Sequence, residues 1–199
     1  MAGIPGLRPT PDRVRQTLFD WLQHLWAGQG RDLRGMRVLD AFAGSGALGL
    51  EAGSRGASHV CFLEKHPVAL RVLARNISGF RATSLRLLAA DALQAIPKLG
   101  REGQRFDLII LDPPFASEIG LQAARLAIPL LSDVGLLYVE SDRNWDDALL
   151  QAKEPLGTDL AKAFELLRQA RAGAVHYHLL KRQHDDKAPS PQVSNLLRP

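Results

Sequence analysis

The residues most able to do chemistry in this chain are glycines and carboxylates set at strand ends. An apolar run closes on Asp40, and Gly44-Ser45-Gly46 follows before a helix-like pattern through Leu48, Leu50 and Glu51. Glycine suits a backbone that doubles back around a ligand, because positive φ or very close approach leaves no room for a Cβ. The helix start that follows offers unpaired N–H groups to a polar ligand. This describes a nucleotide or nucleoside site on an open α/β sheet. Gly44 to Gly49 also spells the dinucleotide fingerprint G-x-G-x-x-G, a weak signal when it stands alone. Asp40 would repel a pyrophosphate and suits a cationic group instead. Glu64, Asp91 and Asp112 close or follow three further apolar runs, and Asp112 opens Asp112-Pro113-Pro114-Phe115, which has no role in hydride transfer.

With both stretches in view, the chain resembles an S-adenosylmethionine-dependent methyltransferase of the Asp-Pro-Pro-Phe/Tyr type, which methylates exocyclic amino nitrogens. An aryl amine is a poor nucleophile because its lone pair is conjugated with the ring. The Asp112 carboxylate and a nearby backbone carbonyl can hold both amino hydrogens and favour a pyramidal nitrogen. Pro113 and Pro114 stiffen the turn, so those acceptors are oriented beforehand. Phe115 offers a flat face for a base to stack against. The resemblance places the methionine part of the cofactor beside Asp40, Phe42, Ala43, Gly44, Ser45 and Gly46. It gives Glu64, with Lys65, the ribose hydroxyls, and Asp91, with Ala92, the adenine amino group; Asp112 borders cofactor and target alike. The product would be S-adenosylhomocysteine, and no metal is needed. The bland alternative is that Asp40 and Asp91 serve as helix N-caps.

These groups need a frame to position them, and the apolar pattern supplies one. Strands are expected at 37–40, 60–64, 85–88, 106–111 and 136–140, with helices at 47–55, 68–77, 92–99 and 121–131 between them. The four central apolar runs lack polar alternation, as in parallel strands buried on both faces. A loop with Asn144 and Trp145 leads to a short helix, and 164–168 with 174–181 read as a closing hairpin. The predicted fold is therefore α/β: a Rossmann-like, doubly wound, mostly parallel sheet with a C-terminal antiparallel hairpin. Ligands bind such a sheet at the strand C-terminal ends. Before it, Pro5 to Pro11 is a proline-rich lead-in to a helix of about 12–26. That helix has Val14, Leu18, Trp21, Leu22 and Leu25 on one face, with the tryptophans packing rather than stacking on ligand. The expected division is 1–36 as lead-in and packing helix, 37–181 as the catalytic domain, and 182–199 as a polar, disordered tail.

Composition bounds the alternatives. The 199 residues suit one domain, and 46% hydrophobic with 23% charged residues is ordinary for a globular protein. No apolar run is long enough to span a membrane, and no signal-peptide layout opens the chain. Cys61, the single cysteine, lies in an apolar run, so a reducing compartment, by default the cytoplasm, is expected. Net charge is +4, but residues 1–105 hold 15 Lys/Arg against 8 Asp/Glu, and residues 106–165 hold 4 against 11. The first half and the basic end are candidates for facing a polyanion. His176 and His178 share one strand face at metal-like spacing, but with no third ligand they are expected to be surface histidines.

The N-terminal stretch Gly6-Leu-Arg-Pro-Thr-Pro-Asp-Arg-Val-Arg-Gln-Thr-Leu-Phe-Asp-Trp-Leu22 narrows the resemblance. It is similar to the signature of the RsmD-like family of bacterial 16S ribosomal RNA guanine-N2 methyltransferases, and the likeness covers about residues 6–181. The Asp112–Phe115 tetrapeptide alone is shared with DNA adenine-N6 and protein glutamine methyltransferases, so this signature is what selects the ribosomal RNA branch. By resemblance, Thr10 and Arg13 border the cofactor, and Arg8, Arg13 and Phe115 meet the RNA. The implied partner is 16S ribosomal RNA, within the small subunit or an assembly intermediate, met by a monomer. The chain departs from the family pattern in three places. Met1 to Pro5 stand where the family carries a basic β-hairpin, Gly53 stands where leucine is usual, and Ala116-Ser117 where basic residues are common. The competing classes are a nicotinamide-dependent oxidoreductase, which leaves Asp112–Phe115 without purpose, and an inactive RNA-binding module, which leaves the strand-end carboxylates unexplained.

Overall fold

The computed structural model describes residues 12–80, 84–114 and 118–183. Runs such as Val38-Leu39, Val60–Leu63 and Leu108–Leu111 bury their side chains on both faces, which only a sheet covered on both sides allows. β1 (Arg37–Asp40), β2 (His59–Glu64), β3 (Ser84–Ala89), β4 (Phe106–Leu111) and β5 (Leu131–Ser141) run parallel. The hairpin of β6 (Phe164–Ala172) and β7 (Val175–Arg182) closes the sheet, with β7 antiparallel to both β5 and β6. The order is β3-β2-β1-β4-β5-β7-β6. Chain direction across the sheet reverses between β1 and β4, the switch point where open α/β sheets bind ligands.

Strand alternation sorts the core into two layers. Val38, Val60, Phe62, Leu108, Ile110 and Tyr138 face one side, where they meet α1 (Asp12–Ala27) and α2 (Ala47–Ser54) together with Leu73 of α3 (Pro67–Ser78). Leu39, Cys61, Leu63, Ile109, Leu111 and Val139 face the other. There they meet α4 (Ala92–Arg101), α5 (Ile119–Ala127), α6 (Trp145–Gln151) and α7 (Leu156–Ala163). α1 therefore shares the core of the sheet. Arg15 reaches Glu51 of α2 at 3.7 Å, and Arg55 lies over the Phe19 ring at 4.9 Å.

Several expectations need correction. The helix expected over 121–131 ends at Ala127; a 3-10 turn follows at Ile128–Leu130, and β5 begins at Leu131. Pro129 lacks the N–H a continuing helix needs. Leu131 pairs with Phe106 before the β4–β5 register shifts, and Gly135 sits where a Cβ would press on the Phe106 carbonyl and on Ser132 at 3.0 Å. Two short helices, α6 and α7, replace the single one expected after Trp145. On α1 the fully buried set is Val14, Leu18, Phe19, Leu22 and Trp26, whereas Trp21 and Leu25 are half-buried. Trp21 packs on Tyr177, ring centroids 5.4 Å apart, so both tryptophans serve packing. β3 is an edge strand with alternating exposure rather than a buried one. Arg182 belongs to β7, and the rest of the expected tail, from 184, lies outside the described residues.

His178 departs most. It is fully buried, its Nδ1 lies 3.2 Å from the Val139 carbonyl oxygen, and its ring sits 6.1 Å from that of Trp145. It is no surface histidine. Burial pulls its pKa down to about 4, so it is a neutral part of the core. The reason is tertiary: α6 folds over β7 and carries Trp145 onto it.

Candidate active site

Each parallel strand delivers a carboxylate to the same edge of the sheet. Across it lie Asp91 beyond β3, Glu64 ending β2, Asp40 ending β1, Asp112 just past β4, and Glu140 near the end of β5. Asp40 is the most enclosed of the first four, at 2% exposure, and its Oδ2 accepts from the Gly49 N–H at 3.0 Å. Burial raises its pKa to about 7 against the pull of that hydrogen bond, and the charges of Asp112 and Glu64 raise it further.

The glycine loop is built by three glycines with different duties. Gly44, at φ 54°, has nothing within 4 Å of where a Cβ would stand, so its bare face opens outward from the protein. Gly46, at φ 84°, would push a Cβ into Leu73. Gly49 would drive one into the Phe62 ring and to 3.0 Å from Asp40 Oδ2, so its absence lets α2 settle on β2. Two of the three glycines are thus required by packing, and Gly44 alone is shaped by an outside neighbour. Phe42 is half-buried, Ala43 is buried with its N–H donating to Leu63 at 3.0 Å, and the Ser45 carbonyl accepts from Asn76 at 2.9 Å.

Glu64 holds this loop in place. Its Oε2 accepts from the Gly44 N–H at 2.8 Å, and its Oε1 accepts from the N–H groups of Lys65 and His66 at 2.8 and 2.7 Å. A carboxylate has about four lone-pair directions, so a further donor can still be accepted. Asp91 is the N-cap of α4: it accepts from Leu93 N–H at 3.0 Å, and its other oxygen meets the Lys65 ammonium at 2.8 Å. The Lys65 hydrogen bond holds the Asp91 carboxyl below its ordinary range. Helix capping is therefore a function Asp91 performs in the fold, with Ala92 buried beneath it.

Asp112 and Pro113 leave β4 at the switch point. A Cβ on Gly120 would come within 3.1 Å of Pro113 Cγ, so that glycine lets α5 start close over the turn. Pro113 and Pro114 line one side of a cavity of about 200 Å³, whose other walls come from α5, the end of β5 and α6. Phe115, Ala116 and Ser117 lie outside the described residues, as do Arg8 and Thr10. Arg13 is exposed in the first turn of α1, two residues before Arg15.

Comparison with known proteins gives this edge its context. The family described as conserved hypothetical protein 95 matches residues 1–181. Ribosomal RNA small subunit methyltransferase D of Escherichia coli strain K12 is 34% identical over 181 residues, 90% of this chain and 81% of its own. This chain belongs to the RsmD family. The Haemophilus influenzae protein of that name is likewise 34% identical, over 87% of this chain and 82% of its own. The solved structure of Escherichia coli yhhF superposes with a TM-score of 0.68 at 32% identity, covering 91% of this chain and 90% of that one. Likeness of fold alone extends to a ribosomal protein L11 methylase from Lactobacillus delbrueckii, with TM-score 0.60 at 21% identity. The sheet is thus that of the class I methyltransferases.

For an RsmD-family chain the implied cofactor is S-adenosylmethionine, and the residues present suit it. The ligand is rich in donors and carries a positive charge, whereas the edge is rich in acceptors, with Gly44 offering an open backbone face beside Asp40 and Glu64. Sequence reading missed Glu140, Tyr138 and Trp145 as site residues. Glu140 is 2% exposed, lines the cavity, and its Oε1 accepts from the Tyr138 hydroxyl at 2.9 Å. The signal was available: the expected strand 136–140 ends on an acid just as the other four do.

Proposed function

We propose that this chain transfers a methyl group from S-adenosylmethionine to the exocyclic N2 of a guanine in the 16S ribosomal RNA of the small subunit. The observation that carries the reading is the position of Asp112-Pro113-Pro114. The turn stands at the switch point, with Asp112 close enough to Asp40 to raise its pKa and Pro113 and Pro114 walling the neighbouring cavity. One side of the turn is therefore the acceptor-rich cofactor edge, and the other is a recess for a target. When bound, S-adenosylmethionine supplies an electrophilic methyl on a sulfonium. The chain's own work is to hold and orient. Asp40 faces the cationic portion, Glu64 with Gly44 meets the ribose, and Asp112 with the following backbone carbonyl accepts the amino hydrogens of the base. Phe115 gives the base a stacking face, while Arg8 and Arg13 meet RNA phosphates. The relatives named as ribosomal RNA small subunit methyltransferases support the substrate class, as does the basic balance of residues 1–105. A monomer acting in the cytoplasm fits this reading.

The test joins binding to product. Calorimetry should show S-adenosylmethionine and S-adenosylhomocysteine binding and NAD giving no heat. Mass analysis of small-subunit RNA from cells lacking the protein should show one N2-methylguanine missing, restored by the purified enzyme. NAD binding without response to S-adenosylmethionine, or an unchanged RNA, would overturn the reading.

A further inference from the structure

The Asp-Pro-Pro-Phe turn can hold any conjugated amine, so it cannot by itself choose the base. Something beside it must read the atom next to the amine. In guanine that neighbour, N1, carries a hydrogen and donates; in adenine and cytosine the ring nitrogen beside the amine is a bare acceptor. A fixed acceptor next to the amine-holding turn would therefore attract guanine and repel the other two.

Resting on the reading above, we infer that Glu140 is the guanine-specificity residue, its carboxylate accepting from N1–H while Asp112 holds the neighbouring amino group. The register places it there. The last recorded β4–β5 pair is Leu111↔Val139, and Asp112 and Glu140 are the next residue on each strand, at the same level of adjacent parallel strands. Ile110 and Tyr138, two residues back, pair with each other and face the same layer, so strand alternation sends Asp112 and Glu140 to one side. Glu140 also lines the cavity whose opposite wall is Pro113 and Pro114. At about 200 Å³ that recess is below the roughly 300–1,000 Å³ of a pocket for a whole ligand, which suits one part of a nucleotide.

The carboxylate is prepared for accepting. The Tyr138 hydroxyl, itself buried, donates to Oε1 at 2.9 Å and fixes the orientation of the group, leaving lone pairs for a further donor. Because tyrosine supplies its proton to this bond, the hydrogen-bond direction favours a carboxylate that receives. A base presenting a lone pair here would meet a desolvated negative charge, an exclusion stronger than the loss of one contact.

The decisive experiment compares guanine with 2-aminopurine, which keeps the 2-amino group but has a lone pair at N1. The methylated guanine is first located by mass analysis, and small-subunit particles are reconstituted on ligated RNA carrying either base there. Single-turnover methyl transfer is measured for the parent, Glu140→Gln and Tyr138→Phe, each checked for fold by thermal melting and S-adenosylhomocysteine titration. The parent should prefer guanine strongly. Glu140→Gln, whose amide can donate to the N1 lone pair, should cut the guanine to 2-aminopurine rate ratio by at least ~10-fold, the scale of one hydrogen bond to a charged group. Tyr138→Phe should lower the ratio by a smaller factor. Equal slowing on both bases, leaving the ratio unchanged in both variants, would make Glu140 merely structural and overturn the inference while the methyltransferase reading stands. A parent that methylates no guanine would remove both.

Discussion

At the scale of single residues, Asp40 and Asp112 share an electrostatic neighbourhood without sharing a task. Asp112 is assigned to the target amine, so Asp112→Ala should keep the fold and most cofactor affinity. Methyl transfer should fall by at least ~100-fold, as when one preorganised polar group leaves an active site. Phe115→Ala should instead lose stacking of roughly 1–3 kcal/mol and weaken target capture as well as turnover, with Phe115→Tyr mild. Single-turnover transfer beside cofactor titration separates the two effects; an Asp112→Ala enzyme at the parental rate would move the amine site elsewhere. Asp40 gives a different readout. Its carboxyl is half-protonated near pH 7 in the free protein, and a cationic ligand favours the ionised form. Binding of S-adenosylhomocysteine below pH 7 should therefore release a proton, and affinity should rise with pH and level off above about 7. Calorimetry in two buffers of different ionisation enthalpy measures the proton, and identical heats in both would detach Asp40 from the ligand.

At the scale of elements, the critical contact is α2 on β2. Gly49 brings the helix close enough for its own N–H to reach Asp40 and for Phe62 to fill the space where a Cβ would stand. Gly49→Ala should force helix and strand apart and destabilise by roughly 1–3 kcal/mol, the usual scale of overpacking. Cofactor affinity should fall as well, because the displaced helix carries the loop. Gly44→Ala should differ: the position is open around its Cβ but has positive φ, so strain is modest and any loss appears mainly in binding. Urea unfolding with S-adenosylhomocysteine titration of both variants checks the contrast, and equal loss of stability in the two would refute the division of duties among these glycines.

Across the whole molecule, two buried groups pull stability in opposite directions with pH. Asp40 ionises near 3.8 when unfolded and about 7 when folded. Between those values the native state holds a proton the unfolded chain has lost, so this contribution declines as pH rises. His178 binds its proton near 6.5 unfolded and about 4 folded, so its contribution grows as pH rises from about 4 to 6.5. The two slopes offset in the parent. Asp40→Asn should make stability climb more steeply with pH across that window, and His178→Gln should make it decline. Denaturant titrations at stepped pH measure this, and three parallel curves would contradict it. Charge distribution adds a second whole-molecule effect. If RNA approaches the basic first half, activity should drop steeply with salt as counterion release loses value. Activity flat from low to physiological salt would point to a different substrate surface.

The order of apolar runs and helices, the glycine loop and the strand-end carboxylates were legible in the linear sequence because they obey short periodicities and fixed local chemistry. Two-faced burial of β1, β2 and β4 followed from uninterrupted apolar runs, and four carboxylates could be set along one edge because parallel strands place equivalent ends together. What sequence could not supply was which strands lie side by side. Only the order β3-β2-β1-β4-β5-β7-β6 brings Asp112 level with Glu140, residues separated by a helix and most of a strand. The burial of His178 likewise depended on α6 covering β7, and that of Phe19 on how α1 turns its face toward α2. A local pattern reports which side of an element is apolar; which neighbour covers it is decided by packing over the whole chain.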